Sequence, residues 1–123
     1  MALVATLAAL IIAPPNEYKH DGCQTHKCDK RVERKAHKQT QNKWWKYTVP
    51  YRAWLRSTRM CESGGNYAIN TGNGFFGAYQ FTLGSWFAVG GRGMPHLAEP
   101  LEQDYRAVRL LHVQGRGAWP VCG

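Results

Sequence analysis

Hydrophobic and polar residues divide the chain into three parts with different patterns. Residues 1–13 are almost entirely apolar, residues 16–49 are mainly polar and basic, and aromatic and aliphatic residues become frequent after residue 50. Only the last part has enough apolar positions to bury a hydrophobic core. We therefore expect an apolar N-terminal segment at 1–15, a basic arm or linker at 16–49 and one folded domain at 50–123.

The apolar N-terminal run ends at Pro14-Pro15. Its length of about a dozen residues matches the hydrophobic region of a secretory signal and falls short of the roughly 20 residues that span a bilayer as a helix. No Lys or Arg precedes the run, and proline is an awkward residue after a cleavage site, so the alternatives are an uncleaved apolar tail and a misassigned start of the chain. None of these interpretations predicts an integral membrane anchor.

A helix is predicted between Pro50 and Gly64, because proline is favoured in the first turn of a helix and glycine at its end. At about 100° per residue this helix is amphipathic. Its apolar side holds Tyr51, Trp54, Leu55, Thr58 and Cys61, and another side holds Arg52, Arg56 and Arg59.

Glu62 lies in the last turn of this helix and points toward its apolar side. Apolar surroundings disfavour the charged carboxylate, and the negative end of the helix dipole acts in the same direction. Both effects raise the pKa of Glu62. A carboxylic acid that stays protonated near neutral pH is what glycosidic bond cleavage requires of its general acid. The alternative is a helix-end glutamate turned toward solvent.

Residues 66–81 combine turn-forming residues with aromatic ones. Asn73-Gly74 is typical of a type I′ turn, so a short β-hairpin or tight loop is predicted. Aromatic faces pack on sugar rings and amides bind hydroxyl groups, so this loop suits a carbohydrate groove. Two of its four aromatic residues are expected to be core residues instead. These four are Phe75, Phe76, Tyr79 and Phe81.

Two more helices are predicted after this loop, one capped by Thr82 and the other beginning at Pro100. The second has Ala107, Leu110, Leu111 and Gln114 on its inner face. The acids around its first turn, Glu99, Glu102 and Asp104, complement the helix dipole, so none is assigned as a second catalytic carboxylate. The expected fold class is α+β: a small domain that is mainly helical, with a short β-hairpin, preceded by the basic arm.

The net charge is +8, and most of it lies in the arm. Residues 19–46 hold nine Lys and Arg against three acidic residues, a balance of +6. A basic segment of this kind either binds a polyanion or is a solvated linker. Nucleic acid is not an expected partner, because the domain has no element that stacks on bases or reads a groove.

Cys61 and Cys122 could join the first helix of the domain to the end of the chain. In the chain-entropy model, closing a loop of about 60 residues stabilises a domain by about 4 kcal/mol. Disulfides persist in oxidising compartments, so this use of cysteine would indicate a protein outside the cytoplasm.

Cys23 and Cys28 could form a second, local disulfide in the arm. The alternative is a zinc site that combines this pair with His20, His26 and His37. Their spacing fits no strong zinc template, so no metal is assigned.

The domain also contains a series of specific motifs. They are Cys61-Glu62-Ser63-Gly64-Gly65-Asn66, Ile69-Asn70-Thr71-Gly72-Asn73-Gly74-Phe75-Phe76-Gly77, Gln80-Phe81, Ser85-Trp86, Gly90-Gly91 and Gln114-Gly115-Arg116-Gly117-Ala118-Trp119-Pro120-Val121-Cys122. Over about 73 residues, 51–123, the sequence resembles the catalytic domain of actinobacterial resuscitation-promoting factors. The resemblance implies a lysozyme-like fold. It also implies cleavage of peptidoglycan between N-acetylmuramic acid and N-acetylglucosamine, with no cofactor.

By this resemblance Glu62 is the single catalytic residue, and Cys61 and Cys122 occupy the disulfide positions. Gln80, Ser85 and Gln114 stand where the family contacts the glycan, although Thr is the familiar residue at position 85. We expect the aromatic side chains of Phe76, Tyr79 and Trp86 to line the same groove.

Glu62 would protonate the glycosidic oxygen, and its carboxylate would then activate either the muramic 6-hydroxyl or water. These two routes give an anhydro product or hydrolysis, and the sequence leaves both open. A non-catalytic wall-binding module and a phage-encoded lysin of the same chemistry are the alternative functions. We expect a monomer outside the cell or in the cell wall, or one released by a phage. Its partner would be peptidoglycan, with anionic wall polymers bound through residues 19–46.

Overall fold

Helices and the loops between them make up the described part of the chain. The computed structural model describes residues 26–123. Its four α-helices are α1 (His26–Thr48), α2 (Arg52–Ser63), α3 (Leu83–Ala88) and α4 (Pro100–Gln114), with short 3₁₀ helices at Val49–Tyr51, Pro95–Leu97 and Arg116–Ala118. The apolar segment 1–15 lies outside the described residues, as do side chains needed for the Cys23–Cys28 bridge and the alternative zinc site. Within residues 26–123, no helix is long and apolar enough to cross a membrane.

Helix α1 has a solvated half and a packed half. It runs from His26 to Thr48, through most of the segment that the sequence analysis describes as a basic arm or linker. Residues 29–40 are all exposed, as their polar composition requires. Near the other end, the ring of Trp44 stacks on Tyr105 of α4 at 5.5 Å between centroids, and Tyr47 meets the same ring edge-on at 5.1 Å. The last turns of α1 therefore pack against α4.

Helix α2 begins and ends close to where its sequence predicts. Pro50 lies in the preceding 3₁₀ helix, and the α-helix starts at Arg52. At the other end Gly64 has a φ of 64°, in the left-handed region that glycine adopts without a steric penalty. The Gly64 N–H donates to the Met60 carbonyl at 3.0 Å, and the next N–H donates to the Arg59 carbonyl at 3.0 Å. These bonds end the helix and leave Glu62 in its final turn.

The predicted β-hairpin, and with it the α+β class, is wrong: residues 26–123 contain no strand or sheet. Two isolated bridges take its place, Asn70 with Phe76 and Phe76 with Phe81. The Asn70 side chain accepts from the Gly72 N–H at 3.1 Å, and the Asn73 side chain accepts from the Phe75 N–H at 3.1 Å. Such local bonds offer the backbone an alternative to a strand ladder, so pairing stops at single bridges.

The core lies between α2, α3, α4 and the loop that precedes α3. Its buried hydrophobic members are Leu55, Ala78, Tyr79, Phe81, Trp86, Val89, Ala107, Val108, Leu110 and Trp119. On α4, Ala107 and Leu110 are buried as predicted, but Gln114 is exposed. Gln103, one turn before Ala107, is fully buried instead. The inner face of α4 therefore begins one turn earlier than predicted and ends before Gln114.

Candidate active site

Glu62 is a half-buried carboxyl group without a polar partner. It is the second-last residue of α2, and among residues 26–123 its side chain makes no hydrogen bond or ion pair. Burial raises the pKa of Glu62 above its ordinary value by disfavouring the charged form. A protonated carboxyl group at the protein surface can donate its proton to a bound substrate.

Arg59, one turn before Glu62, does not stabilise its charged form. The Arg59 guanidinium lies over the ring of Tyr67, at 6.0 Å from the ring centroid. It forms no ion pair with Glu62 in the described part of the chain. The cation that could have lowered the pKa of Glu62 is therefore directed toward other groups.

A disulfide fixes the chain end beside the candidate acid. Cys61 is bonded to Cys122, with their Cα atoms 5.7 Å apart. The Thr58 hydroxyl, one turn earlier on α2, donates to the Cys122 carbonyl at 3.4 Å. The C-terminal segment is therefore attached to the final turns of α2.

The loop formed by residues 77–80 lies against the same end of α2. Its ends are joined by two backbone hydrogen bonds between Phe76 and Phe81, each of 2.9 Å. The hydroxyl of Ser63, the residue after Glu62, donates to the Ala78 carbonyl at 2.8 Å. This contact places the loop, which carries Gln80, next to the final turn that carries Glu62.

Two buried side chains hold this loop from behind. The Gln103 amide oxygen accepts from the Ala78 N–H at 3.0 Å, and the Trp119 indole donates to the Tyr79 carbonyl at 2.9 Å. Gln80 has a φ of 51°, which costs a non-glycine residue about 1–2 kcal/mol. Gly77 has a φ of 74°, and a Cβ atom there would collide with the Gln103 amide. The close fit of Gln103 thus sets the path of the loop.

The three polar residues predicted to contact the glycan lie on separate elements. Gln80 is half-buried in the loop, with its amide donating to the Gly77 carbonyl at 3.1 Å. Ser85 is half-buried in α3, and its hydroxyl donates to the Thr82 carbonyl at 3.0 Å. Gln114 is exposed at the end of α4, from which the chain runs on to the disulfide at Cys122.

The predicted aromatic groove residues lie mostly in the core. Tyr79 and Trp86 are fully buried, so their side chains have no surface to offer a ligand. Phe76 is 9% exposed and lies at the edge of the core, whereas Phe75 is 44% exposed. Phe81 is also buried. Tyr79 and Phe81 are thus members of the core, which agrees with the two core residues expected among the four loop aromatics.

The acids at the start of α4, Glu99 just before it and Glu102 in its first turn, are each held by a partner. The Glu102 carboxylate pairs with Arg106 at 3.2 Å. The Glu99 carboxylate accepts from the Gln41 amide at 2.8 Å and lies 3.4 Å from the His37 ring. These contacts give both carboxylates structural roles.

Asp104 joins two tyrosines that the sequence did not connect with it. Its carboxylate accepts from the Tyr67 hydroxyl at 2.8 Å and from the Tyr79 hydroxyl at 2.5 Å. Burial, followed by the hydrogen bond to Asp104, raises the pKa of Tyr67 to about 12. Burial and the Asp104 charge also raise the pKa of Tyr79. Both hydroxyls therefore stay protonated and keep donating to Asp104.

Sequence reasoning missed this network and the buried Gln103. The helix dipole already explained an acid at position 104, so no partner was sought for Asp104. Its partners Tyr67 and Tyr79 are 37 and 25 residues away in the sequence. Gln103 had a usable signal, because it is four residues before Ala107 on the predicted inner face of α4. No three His, Cys, Asp or Glu side chains of residues 26–123 are grouped so that they could hold a metal ion.

Comparison with known proteins gives the class of this domain. A sequence model of the transglycosylase-like domain family matches residues 51–122, and the chain belongs to this family. The match covers more than half of the chain and includes Glu62, Gln80, Ser85 and Gln114.

Named relatives support the same assignment. The chain is 61% identical over 62 residues to resuscitation-promoting factor Rpf of Micrococcus luteus, which covers 50% of this chain and 28% of the relative. It is 54% identical over 64 residues to resuscitation-promoting factor RpfE of Mycobacterium tuberculosis, a match that covers 52% of this chain and 37% of the relative. It is 48% identical over 66 residues to resuscitation-promoting factor Rpf1 of Corynebacterium glutamicum, a match that covers 51% of this chain and 34% of the relative.

These matches confirm the resemblance to a resuscitation-promoting factor domain and agree with the lysozyme-like part of the fold prediction. The matched stretch spans between 28% and 37% of the length of the three relatives.

Proposed function

We propose that residues 50–123 cleave peptidoglycan glycan strands between N-acetylmuramic acid and N-acetylglucosamine, with Glu62 as the catalytic acid. The observation that carries this proposal is the half-buried, unpaired Glu62 carboxyl group, whose pKa is raised by burial. It lies within the stretch that matches the transglycosylase-like family. General acids of glycosidases need this kind of environment.

In the first step the Glu62 carboxyl group donates its proton to the glycosidic oxygen. The bond between that oxygen and the anomeric carbon of the muramic residue breaks, through a transition state with oxocarbenium character. In the second step the Glu62 carboxylate takes the proton of the muramic 6-hydroxyl, and that oxygen bonds to the anomeric carbon. The products are a 1,6-anhydromuramic end and a free N-acetylglucosamine end, and Glu62 regains its proton.

The partners of the three acids in and just before α4 favour this route over hydrolysis. Two-carboxylate hydrolysis needs a second group to act as nucleophile or to activate water. Glu99, Glu102 and Asp104 are bound by neighbouring side chains. A single carboxyl group that acts first as acid and then as base needs only the substrate's own hydroxyl.

Gln80, Ser85 and Gln114 are the proposed glycan contacts, with Phe76 at the edge of the groove. Gln80 is the best placed of them, because the Ser63 contact brings its loop to the end of α2. Tyr79 and Trp86 support this groove from the core and do not touch the glycan.

The basic arm supplies attachment to the wall and takes no part in bond cleavage. Residues 29–40 of α1 are exposed along their whole length, so their lysines and arginines are available to anionic wall polymers. The Cys61–Cys122 disulfide suits an oxidising setting outside the cell or in the cell wall. The proposed working form is a monomer.

Substitution of Glu62 by Gln tests the catalytic assignment. The amide keeps the shape of the side chain but has no proton to transfer at neutral pH, so clearing of a purified wall suspension should slow more than a hundredfold. General acid catalysis contributes roughly 10² to 10⁴ in rate. Glu99→Gln, an exposed acid with its own partners, is the matched control and should clear walls like the parent. A Glu62→Gln rate within a few-fold of the parent would overturn the proposal.

A further inference from the structure

A cavity of about 510 Å³ lies between α1, α2 and α4. Arg52, Arg56 and Arg59, on successive turns of α2, face it together with Trp45 of α1. Its volume falls in the range of small-molecule sites. The mechanism proposed above uses none of these side chains.

The three guanidinium groups form no ion pair in the described part of the chain, although the Asp104 charge acts on Arg59. In residues 26–123 none of them has a carboxylate within ion-pair distance, whereas Arg106 is paired with Glu102 at 3.2 Å. Asp104 also lines the cavity, but its carboxylate already accepts two tyrosine hydroxyls. Three cations facing one carboxylate leave a positive balance in the cavity.

Two of the three arginines are partly ordered before any ligand arrives. The Arg52 guanidinium stacks on the Trp45 ring at 5.2 Å from its centroid, and the Arg59 guanidinium lies over Tyr67 at 6.0 Å. Stacking on aromatic rings holds a guanidinium plane while leaving its N–H groups free to donate. Less side-chain freedom is then lost when an anion binds.

We propose that this cavity binds a phosphate group carried by a sugar or polyol. A tetrahedral phosphate offers several oxygens to donors that come from different directions, and arginine is the side chain best suited to such groups. A planar carboxylate presents only two oxygens, which lie in one plane, and is a poorer match for three guanidiniums than a tetrahedral phosphate. Trp45 is 51% exposed, and its ring gives an attached sugar or polyol an apolar surface. This inference goes beyond bond cleavage and does not depend on it.

Titration of the chain of residues 1–123 with glycerol phosphate, inorganic phosphate and acetate tests the proposal. The five tryptophans give five indole N–H signals in a nitrogen-15 correlation spectrum, and Trp45→Phe identifies the one from Trp45. Saturable movement of that signal is expected, with a dissociation constant for glycerol phosphate at least fivefold below those of the other two probes. Equal affinity for inorganic phosphate would overturn the sugar or polyol part, and equal affinity for acetate would overturn phosphate recognition.

Charge-removing variants locate the site. Arg52→Gln and Arg56→Gln should each weaken glycerol phosphate binding at least tenfold, and Arg56→Lys should recover part of it. Arg109→Gln removes the same charge from an exposed position on α4 outside the cavity and should leave the dissociation constant within twofold. Equal weakening by Arg109→Gln would show an effect of net charge and would contradict the proposal. Unchanged melting temperatures verify that Arg52 and Arg56, both exposed, are not needed for folding.

Discussion

Replacement of Gln103 by Leu should destabilise the domain far more than an ordinary polar-to-apolar change. Gln103 is fully buried and makes three hydrogen bonds of 3.0 Å, accepting from the Ala78 N–H and donating to the carbonyls of Tyr67 and Ala98. Leucine has a similar size but satisfies none of these groups. The variant therefore isolates the polar contribution of one side chain.

The expected loss follows from the burial of the three backbone groups. A buried group left without its partner costs about 1–3 kcal/mol. Ala78 is fully buried and should incur most of this cost, whereas Tyr67 and Ala98 are half-buried and can reach water more easily. We expect the free energy of unfolding to fall by about 3 kcal/mol. At about 4–8 °C per kcal/mol for a domain of this size, the melting temperature should fall by more than 10 °C.

Urea denaturation measures this loss directly, provided that the slope with denaturant stays constant. Gln114→Leu is the matched control, because Gln114 lies on the same helix but is exposed, and its unfolding free energy should change by less than about 0.5 kcal/mol. Cleavage by Gln103→Leu should also fall under conditions where the variant is fully folded, because the loop carrying Gln80 loses its support. A loss below about 1 kcal/mol with an unchanged slope would refute the reasoning.

Three further predictions concern the disulfide, the candidate acid and the arm. Cys122→Ser should lower the free energy of unfolding by about 4 kcal/mol, measured by urea denaturation, because it opens the 61-residue loop; a loss below 1 kcal/mol would contradict this. Because burial raises the pKa of Glu62 in the folded state, stability falls as pH rises from the unfolded pKa through the higher folded pKa. Glu62→Gln removes this loss, so it should raise the melting temperature at neutral pH but not well below the unfolded carboxyl pKa. An equal effect at both pH values would be inconsistent with this reasoning. Replacing Lys30, Lys35 and Lys38 by Gln should reduce the fraction of protein that sediments with purified walls at low salt. Added salt should reduce the sedimentation of the parent in the same way. Unchanged sedimentation of the variant would make the arm a passive linker.

The helices could be predicted because their signals are local. Pro50, Gly64, Thr82 and Pro100 mark helix ends through the steric and hydrogen-bonding properties of single residues. The position of Glu62 in the last turn of α2 follows from the same signals and from the 3.6-residue period. Its raised pKa agrees with the desolvation argument made from the sequence.

The loop before α3 could not be predicted in the same way. Asn73-Gly74 is a good hairpin signal, but whether strands form around it depends on competing bonds from the Asn70 and Asn73 side chains. The composition of the loop does not distinguish aromatic residues that pack in the core from aromatic residues that line a groove. Only the packing of Tyr79 against distant partners such as Asp104 and Trp119 decides that it is a core residue.

Mass spectrometry of muropeptides released from purified peptidoglycan tests the central claim most directly. The parent protein should release fragments that end in 1,6-anhydromuramic acid, 18 Da lighter than hydrolysed ends because no water is added. Glu62→Gln should release none above background, and Glu99→Gln should release as many as the parent. No glycan cleavage by the folded parent, or equal product from Glu62→Gln, would contradict the account.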